Sequence, residues 1–241
     1  MGRFGQALAL AGISGLTTAL AACGSGTVNA AAPELVAAMR AVYPEADRTT
    51  GAVRVPAAAD DPAKVEHPVL IIQGEGDHSY LVTVREQADA CDTCAASLSV
   101  FYLDNARGMP ALARAHRDID QPASWRIAGG ITPVALRGDP GIAETSAATA
   151  QGCTESAVTV FRFDAAGPIK LLDDAPLGVS FANVDVVGNI IKPYVADADF
   201  AITYLGNSNS APVDATVMWK IENEALIQAS GFIPDEVTAG C

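Results

Sequence analysis

Histidine, basic charge and long apolar runs are what this sequence has least of, and each shortage removes a class of function. Three histidines occur in 241 residues, His67, His78 and His116, and their spacing matches no pair of metal ligands on one element. Fifteen Lys and Arg stand against 28 Asp and Glu, for a net charge of −13. No basic run interrupts that acidity, so the chain lacks the electrostatic footprint of a nucleic-acid binder. The acidity reads as a solubility feature and repels anionic lipid headgroups. Beyond residue 22 no apolar stretch reaches about 18 residues without a charge or a proline, so no transmembrane helix is expected in the body of the chain. The regular Asp-x-Asp-x-Asp-Gly calcium loop is absent too, and Asp197 with Asp199 reads as the solvated edge of a strand. No cofactor is expected.

A hydrolase needs more than the chain offers. HPVLIIQGEGDHSYLVTV (67–84) has the apolar run, glycines and acid of a strand that presents a catalytic carboxylate. A catalytic Asp77 requires a Gly-x-Ser-x-Gly nucleophile turn upstream. The only glycine-flanked serine there is Ser14, in Gly12-Ile13-Ser14-Gly15, with the wrong spacing. GEGD therefore reads as a hairpin loop in which Gly74 and Gly76 supply permissive backbone angles and Asp77 bonds to the turn. No catalytic residue is expected.

The N-terminus carries the strongest motif. Arg3 precedes an apolar, small-residue run, ALALAGISGLTTALAA (7–22), which ends in Leu20-Ala21-Ala22-Cys23. This tetrad resembles the lipobox of bacterial lipoproteins. The resemblance implies that 1–22 is a signal peptide, and that Cys23 receives diacylglycerol, becomes the first residue and is acylated on its new amine. Gly24, where Asp would retain the protein at the inner membrane, implies an outer-membrane anchor facing the periplasm. Residues 23–33 then form a lipidated tether, and several acyl chains give durable attachment.

With Cys23 lipidated, Cys91, Cys94, Cys153 and Cys241 remain. An even number in an exported chain suggests two disulfides, expected as Cys91–Cys94 and Cys153–Cys241. C-x-x-C is also a redox motif, but that chemistry needs the first cysteine at a helix N-terminus. SLSVFYL (97–103), which follows CDTC, alternates like a strand.

One helix is expected at 33–43, where Pro33 suits a first turn and Leu35, Val36, Met39, Val42 and Tyr43 share a face. From there strands dominate: AVRV, PVLIIQ, SYLVTV, SLSVFYL, SWRIA, AVTVFRF, PIKLL, VGNIIK, DFAITYL, ATVMWKI and EALIQAS, separated by turn chemistry. MPALARAHR (109–117) reads as a short helix, and Trp125 and Trp219 as core residues. The fold expected is mainly β (α+β): an antiparallel β-rich sandwich or curled sheet with one N-terminal helix, forming a single domain over 34–241. SYLVTV, CDTC and SLSVFYLDNARG, with the helix and Gln151-Gly152, together resemble exported bacterial proteins that carry a C-x-A-C loop before a hairpin. Asp92 and Thr93 depart from that loop, and the resemblance implies no activity.

Function is thus expected to be non-enzymatic: an outer-membrane-anchored periplasmic lipoprotein that binds an envelope protein or a cell-wall ligand, with the membrane as its other partner. An envelope thiol oxidoreductase using Cys91 and Cys94, or a structural envelope component, are the alternatives.

Overall fold

The computed structural model describes residues 30–57, 63–88, 96–106, 108–120 and 127–240. Helix α1 (Pro33–Val42) is followed by five strands: β1 (Val53–Val55), β2 (Lys64–Gln73), β3 (His78–Gln87), β4 (Ser97–Asp104) and β5 (Ala111–Asp120). Eight more complete the chain: β6 (Ile127–Leu136), β7 (Asp139–Ala150), β8 (Cys153–Phe163), β9 (Pro168–Phe181), β10 (Val184–Ile191), β11 (Phe200–Ser208), β12 (Ala211–Glu222) and β13 (Ala225–Ser230), then a short helix α2 (Asp235–Ala239). β1 to β5 form one antiparallel sheet and β6 to β13 another, each in sequence order.

Side-chain alternation sets the layers. On β4 every residue from Ser97 to Leu103 is buried, because both faces of the strand are covered. Phe101 and Leu103 face α1 and meet Met39 and Ala38, with Leu81 of β3. Leu98, Val100 and Tyr102 point the other way and meet Ile142, Phe161 and Phe163 of the second sheet. β8 is likewise double-faced: Phe161 and Phe163 touch the first sheet, while Val158 and Val160 enter a separate core with Val186, Ile202, Tyr204, Val217 and Trp219. The eight-stranded sheet curls around that core. Arg137, beyond the end of β6, reaches across to the far strands, where Nη2 donates to Ile221 O at 2.6 Å and Nε to Asp199 Oδ2 at 3.1 Å.

Tight hairpins fix the register. β12 and β13 turn through Asn223 and Glu224, at φ 50° and 61°, and β11 and β12 through Asn209 and Ser210, at 49° and 69°. These left-handed pairs match the twist of the strands they join. Gly231, at φ +79°, sits where an added Cβ would meet the backbone of Thr216 and Val217. Gly231→Ala is therefore expected to lower stability by on the order of 2 kcal/mol, read as a lower urea midpoint with an unchanged slope.

One expectation is overturned. Residues 109–117 are not a helix: Ala111–Asp120 is strand β5, paired to β4 with Val100 opposite His116 and Tyr102 opposite Arg114. ALARAHRDID has alanine-rich helix propensity, but the unpaired edge of β4 satisfies its backbone, and tertiary pairing outweighs propensity. Neither β7, whose small residues (DPGIAETSAATA) carry little strand signal, nor the short α2 shows in the linear pattern.

Candidate functional site

The hairpin ends of the two sheets face each other at one end of the molecule. The β2–β3 turn (74–77), the β6–β7 turn (Arg137 and Gly138) and the β8–β9 turn (164–167) surround a cleft of about 970 Å³. Its floor is aromatic. Tyr80 lies edge-on to Tyr102 with ring centroids 4.7 Å apart and tilted against Phe163 at 5.2 Å, and Tyr102 meets Phe163 at 6.5 Å. Gly74 makes the Tyr80 position possible, since an added Cβ would lie 2.7 Å from Tyr80 Cε2. Gly74→Ala is expected to displace that ring and change the near-ultraviolet circular dichroism of the aromatic cluster, with the far-ultraviolet signal retained.

The rim is polar. Asp164 Oδ1 accepts from the backbone amides of Ala166 at 2.7 Å and Gly167 at 3.0 Å, which shapes the β8–β9 turn. Arg114 Nη1 donates to Ala165 O at 2.9 Å and Ala166 O at 2.8 Å, so β5 is tied to that turn and one flank of the cleft is closed. Glu75, His78 and Asp139 complete the mouth. Burial raises the Tyr80 phenol above its usual range, and the Asp139 and Asp164 carboxylates raise it further. Burial also holds the Tyr102 phenol well above that range, and its hydroxyl makes no hydrogen bond among the described residues. His116 packs edge-on to Tyr102 at 5.0 Å. Burial, then Arg114, keeps its pKa below the usual imidazole value.

A second cleft, of about 1190 Å³, opens on the other side of β6, between that strand and the 192–199 segment. Asp199 is more than a solvated edge here. It accepts from Arg137 and, at 2.6 Å, from the Ile221 amide, so it clasps the curl of the sheet.

Two further polar clusters lie away from the clefts. Glu66, fully buried, accepts from Thr83 Oγ1 at 2.6 Å, Tyr43 OH at 2.7 Å and Arg85 Nη2 at 3.0 Å, and Arg85 continues to Asp118. Where the sheets meet, Glu144 of β7 is 3 % exposed. Burial, then the hydrogen bond that its protonated carboxyl donates to Asp120 of β5, pushes its pKa up to about 8. Lys170 Nζ binds Asp120 Oδ1 at 2.9 Å and Asp173 Oδ1 at 2.8 Å. Nothing in the linear pattern places Asp120 beside Glu144; only the packing of β5 on the second sheet does.

Of the residues singled out in the sequence, Cys23, Cys91, Cys94, Cys241 and Trp125 lie outside the described residues. Cys153, 6 % exposed at the start of β8, is disulfide-bonded. Gly240 lies against the Glu155 carboxylate of the same strand. Asp77 and His78 are exposed, and the Asp77 carbonyl accepts from the Asn105 amide at 2.8 Å, as a loop residue should. Trp219 is buried. Among the described residues no three His, Cys, Asp or Glu side chains converge as a metal site, and no helix is long and apolar enough to cross a membrane. The aromatic cleft escaped the sequence reading because Tyr80, Tyr102 and Phe163 come from three strands. Their only linear signal is an aromatic near the turn-facing end of each.

No family model, curated protein or solved structure matches this chain.

Proposed function

We propose that this protein is a non-enzymatic binding module, held to the periplasmic side of a bacterial outer membrane by lipid on Cys23 and receiving its ligand in the cleft between the hairpin ends. The observation that carries the reading is the cleft itself. It combines an apolar aromatic floor with a small set of polar groups at the mouth, the pattern of a preformed binding site. Its volume suits a segment of a larger partner, an envelope protein or a cell-wall chain, as well as a free small molecule. The lipobox-like Leu20-Ala21-Ala22-Cys23 supports the anchor.

The cysteines belong to the scaffold in this reading. Gly240 lies beside the strand that begins at Cys153, which supports the Cys153–Cys241 bridge and leaves Cys91 to pair with Cys94. Cys153→Ala is expected to cost about 2–4 kcal/mol, measured by urea unfolding of the unreduced protein, and Cys241→Ala is expected to cost the same. Unequal losses would contradict that pairing.

The reading is tested on full-length mature protein taken from envelopes after thiols are blocked in intact cells. Peptide mass mapping is expected to find acylated Cys23 and fully oxidised Cys91 and Cys94, and native mass spectrometry a bound species released by denaturation. Free thiols or mixed disulfides at Cys91 or Cys94 would replace the binding module with an envelope thiol oxidoreductase. An empty protein with no thiol chemistry would favour a structural component.

A further inference from the structure

We propose that the free edge of β6 takes an extended peptide of a partner protein as an added strand, with a basic side chain entering the aromatic cleft and an acidic side chain entering the cleft behind it. The inference rests on the reading of the protein as a binding module and names the class of ligand.

Among the described residues β6 is the terminal strand of its sheet, and its register shows which backbone groups are not taken by β7. It pairs with β7 as Leu136↔Asp139, Ala135↔Pro140, Val134↔Gly141, Pro133↔Ile142 and Thr132↔Ala143. A two-residue turn through Arg137 and Gly138 makes Leu136 and Asp139 a hydrogen-bonded pair, and bonded and non-bonded pairs then alternate along the ladder. Val134 and Thr132 therefore bond to β7, while the backbone groups of Ala135, Pro133 and Ile131 point outward. Pro133 falls where its missing N–H costs β7 nothing, which is the position edge strands allow for proline. The open edge still offers N–H and C=O of Ala135, C=O of Pro133, and N–H and C=O of Ile131. Thr132, Pro133 and Ala135 are all exposed.

This edge also divides the two clefts, and Pro133, Val134 and Ala135 line both. Val134 packs against the core inside the curled sheet, whereas Ile131 packs against the cluster between the sheets. The odd-numbered residues of β6 thus face the aromatic cleft and the even-numbered residues face the second. A strand added beside β6 alternates in the same way, so successive side chains of one peptide enter opposite clefts. Main-chain bonds with alternating pockets are the working parts of β-strand addition.

Charge selects the side chains. Asp139 is paired with Arg162 at 3.8 Å, but Glu75 and Asp164 also stand at the aromatic cleft, where the Arg114 guanidinium is already committed to two carbonyls. A lysine or arginine can lay its stem on the Tyr80 ring and place its charge among these carboxylates. At the second cleft Arg137 is bound to Asp199 and Lys220 to Glu222, and Asp197 lines the wall; the exposed Lys192, which makes no ion pair among the described residues, is the group that receives a carboxylate.

The test begins with a phage-displayed library of linear peptides about seven residues long, panned against the full mature chain in detergent. Binders are expected to alternate a basic and an acidic residue at successive positions. N-methylation of the amides that face β6 should weaken a synthetic binder at least about tenfold, and methylation of the intervening amides should leave it nearly unchanged. Ala135→Pro, which removes an outward N–H, should weaken binding similarly. The methylated peptides give the same readout on the unaltered protein if that variant folds poorly. Binders indifferent to the position of methylation would overturn edge pairing. So would a library without binders, and if the native protein nonetheless carries a ligand crosslinked from the aromatic cleft, the binding reading survives without the strand. A library without binders and a cleft without crosslinks would remove both.

Discussion

Replacing Arg85 with methionine is expected to destabilise the protein by about 3–5 kcal/mol, the largest effect of any single change outside the apolar core. Glu66 is fully buried beneath α1, in the first sheet, and its carboxylate is held by Tyr43, Thr83 and Arg85. The hydroxyls of Tyr43 and Thr83 donate hydrogen bonds but bring no charge. Removing the guanidinium leaves a buried anion whose remaining partners are neutral hydroxyls, with Arg117 one step away on the Tyr43 hydroxyl, and that desolvation penalty outweighs the lost contact. The same substitution cuts the link to Asp118 at the end of β5, so the edge of the sheet loosens as well. Glu66→Gln combined with Arg85→Met removes both charges and is expected to recover more than half of the loss. Urea unfolding, with midpoints compared at equal slopes, checks both variants. A loss below about 1 kcal/mol for Arg85→Met would show that the pair adds nothing beyond its packing.

The second large effect depends on pH. Glu144 lies at the contact of the two sheets, and burial followed by the Asp120 hydrogen bond pushes its pKa from 4.5 to about 8. The groups around it are Asp120 from β5 and Lys170, Asp173 and Asp174 from β9. The folded protein binds the proton more tightly than the unfolded chain does. Between pH 4.5 and about 8 the unfolded chain therefore loses a proton that the fold retains. Glu144 contributes its full stabilisation below pH 4.5, and the contribution falls away as pH rises to about 8. At about 1.4 kcal/mol per pKa unit, the loss across the window is on the order of 3–5 kcal/mol. Glu144→Gln cannot titrate, so the gap in melting temperature between variant and parent should change steadily across the window, in favour of glutamine at high pH. Parallel profiles for the two proteins would contradict a shared proton between the sheets.

How much of this was legible in the sequence follows from the range of the interactions involved. Helix α1 could be read because its apolar spacing and Pro33 are local, and β3, β4, β8, β11 and β12 because their alternation is. The turns at Asn223 and at 164–167 are equally local, and so is the β2–β3 turn that holds Asp77. β5 reads as a helix for the same reason in reverse: its alanines favour a helix until the edge of β4 is present to pair with. β7 carries no alternation of its own because its side chains are small, and only backbone pairing with β6 on one side and β8 on the other makes it a strand. The cleft, Glu144 and the Arg137–Asp199 clasp join residues from distant strands, and only the folded register brings these together.

The central claim is that ligand enters at the hairpin ends, and site-specific photo-crosslinking in living cells tests it most directly. A photoreactive residue replaces Glu75 at the rim of the aromatic cleft in one strain and Asn209 in another. Asn209 lies in the β11–β12 turn, at the opposite end of the strands. Illumination is expected to give a discrete adduct from position 75 and none from position 209, and lengthening the side chain at Ala135 should reduce the adduct. Equal adducts from both positions, or none from position 75 in a protein that is folded and anchored, would contradict the account.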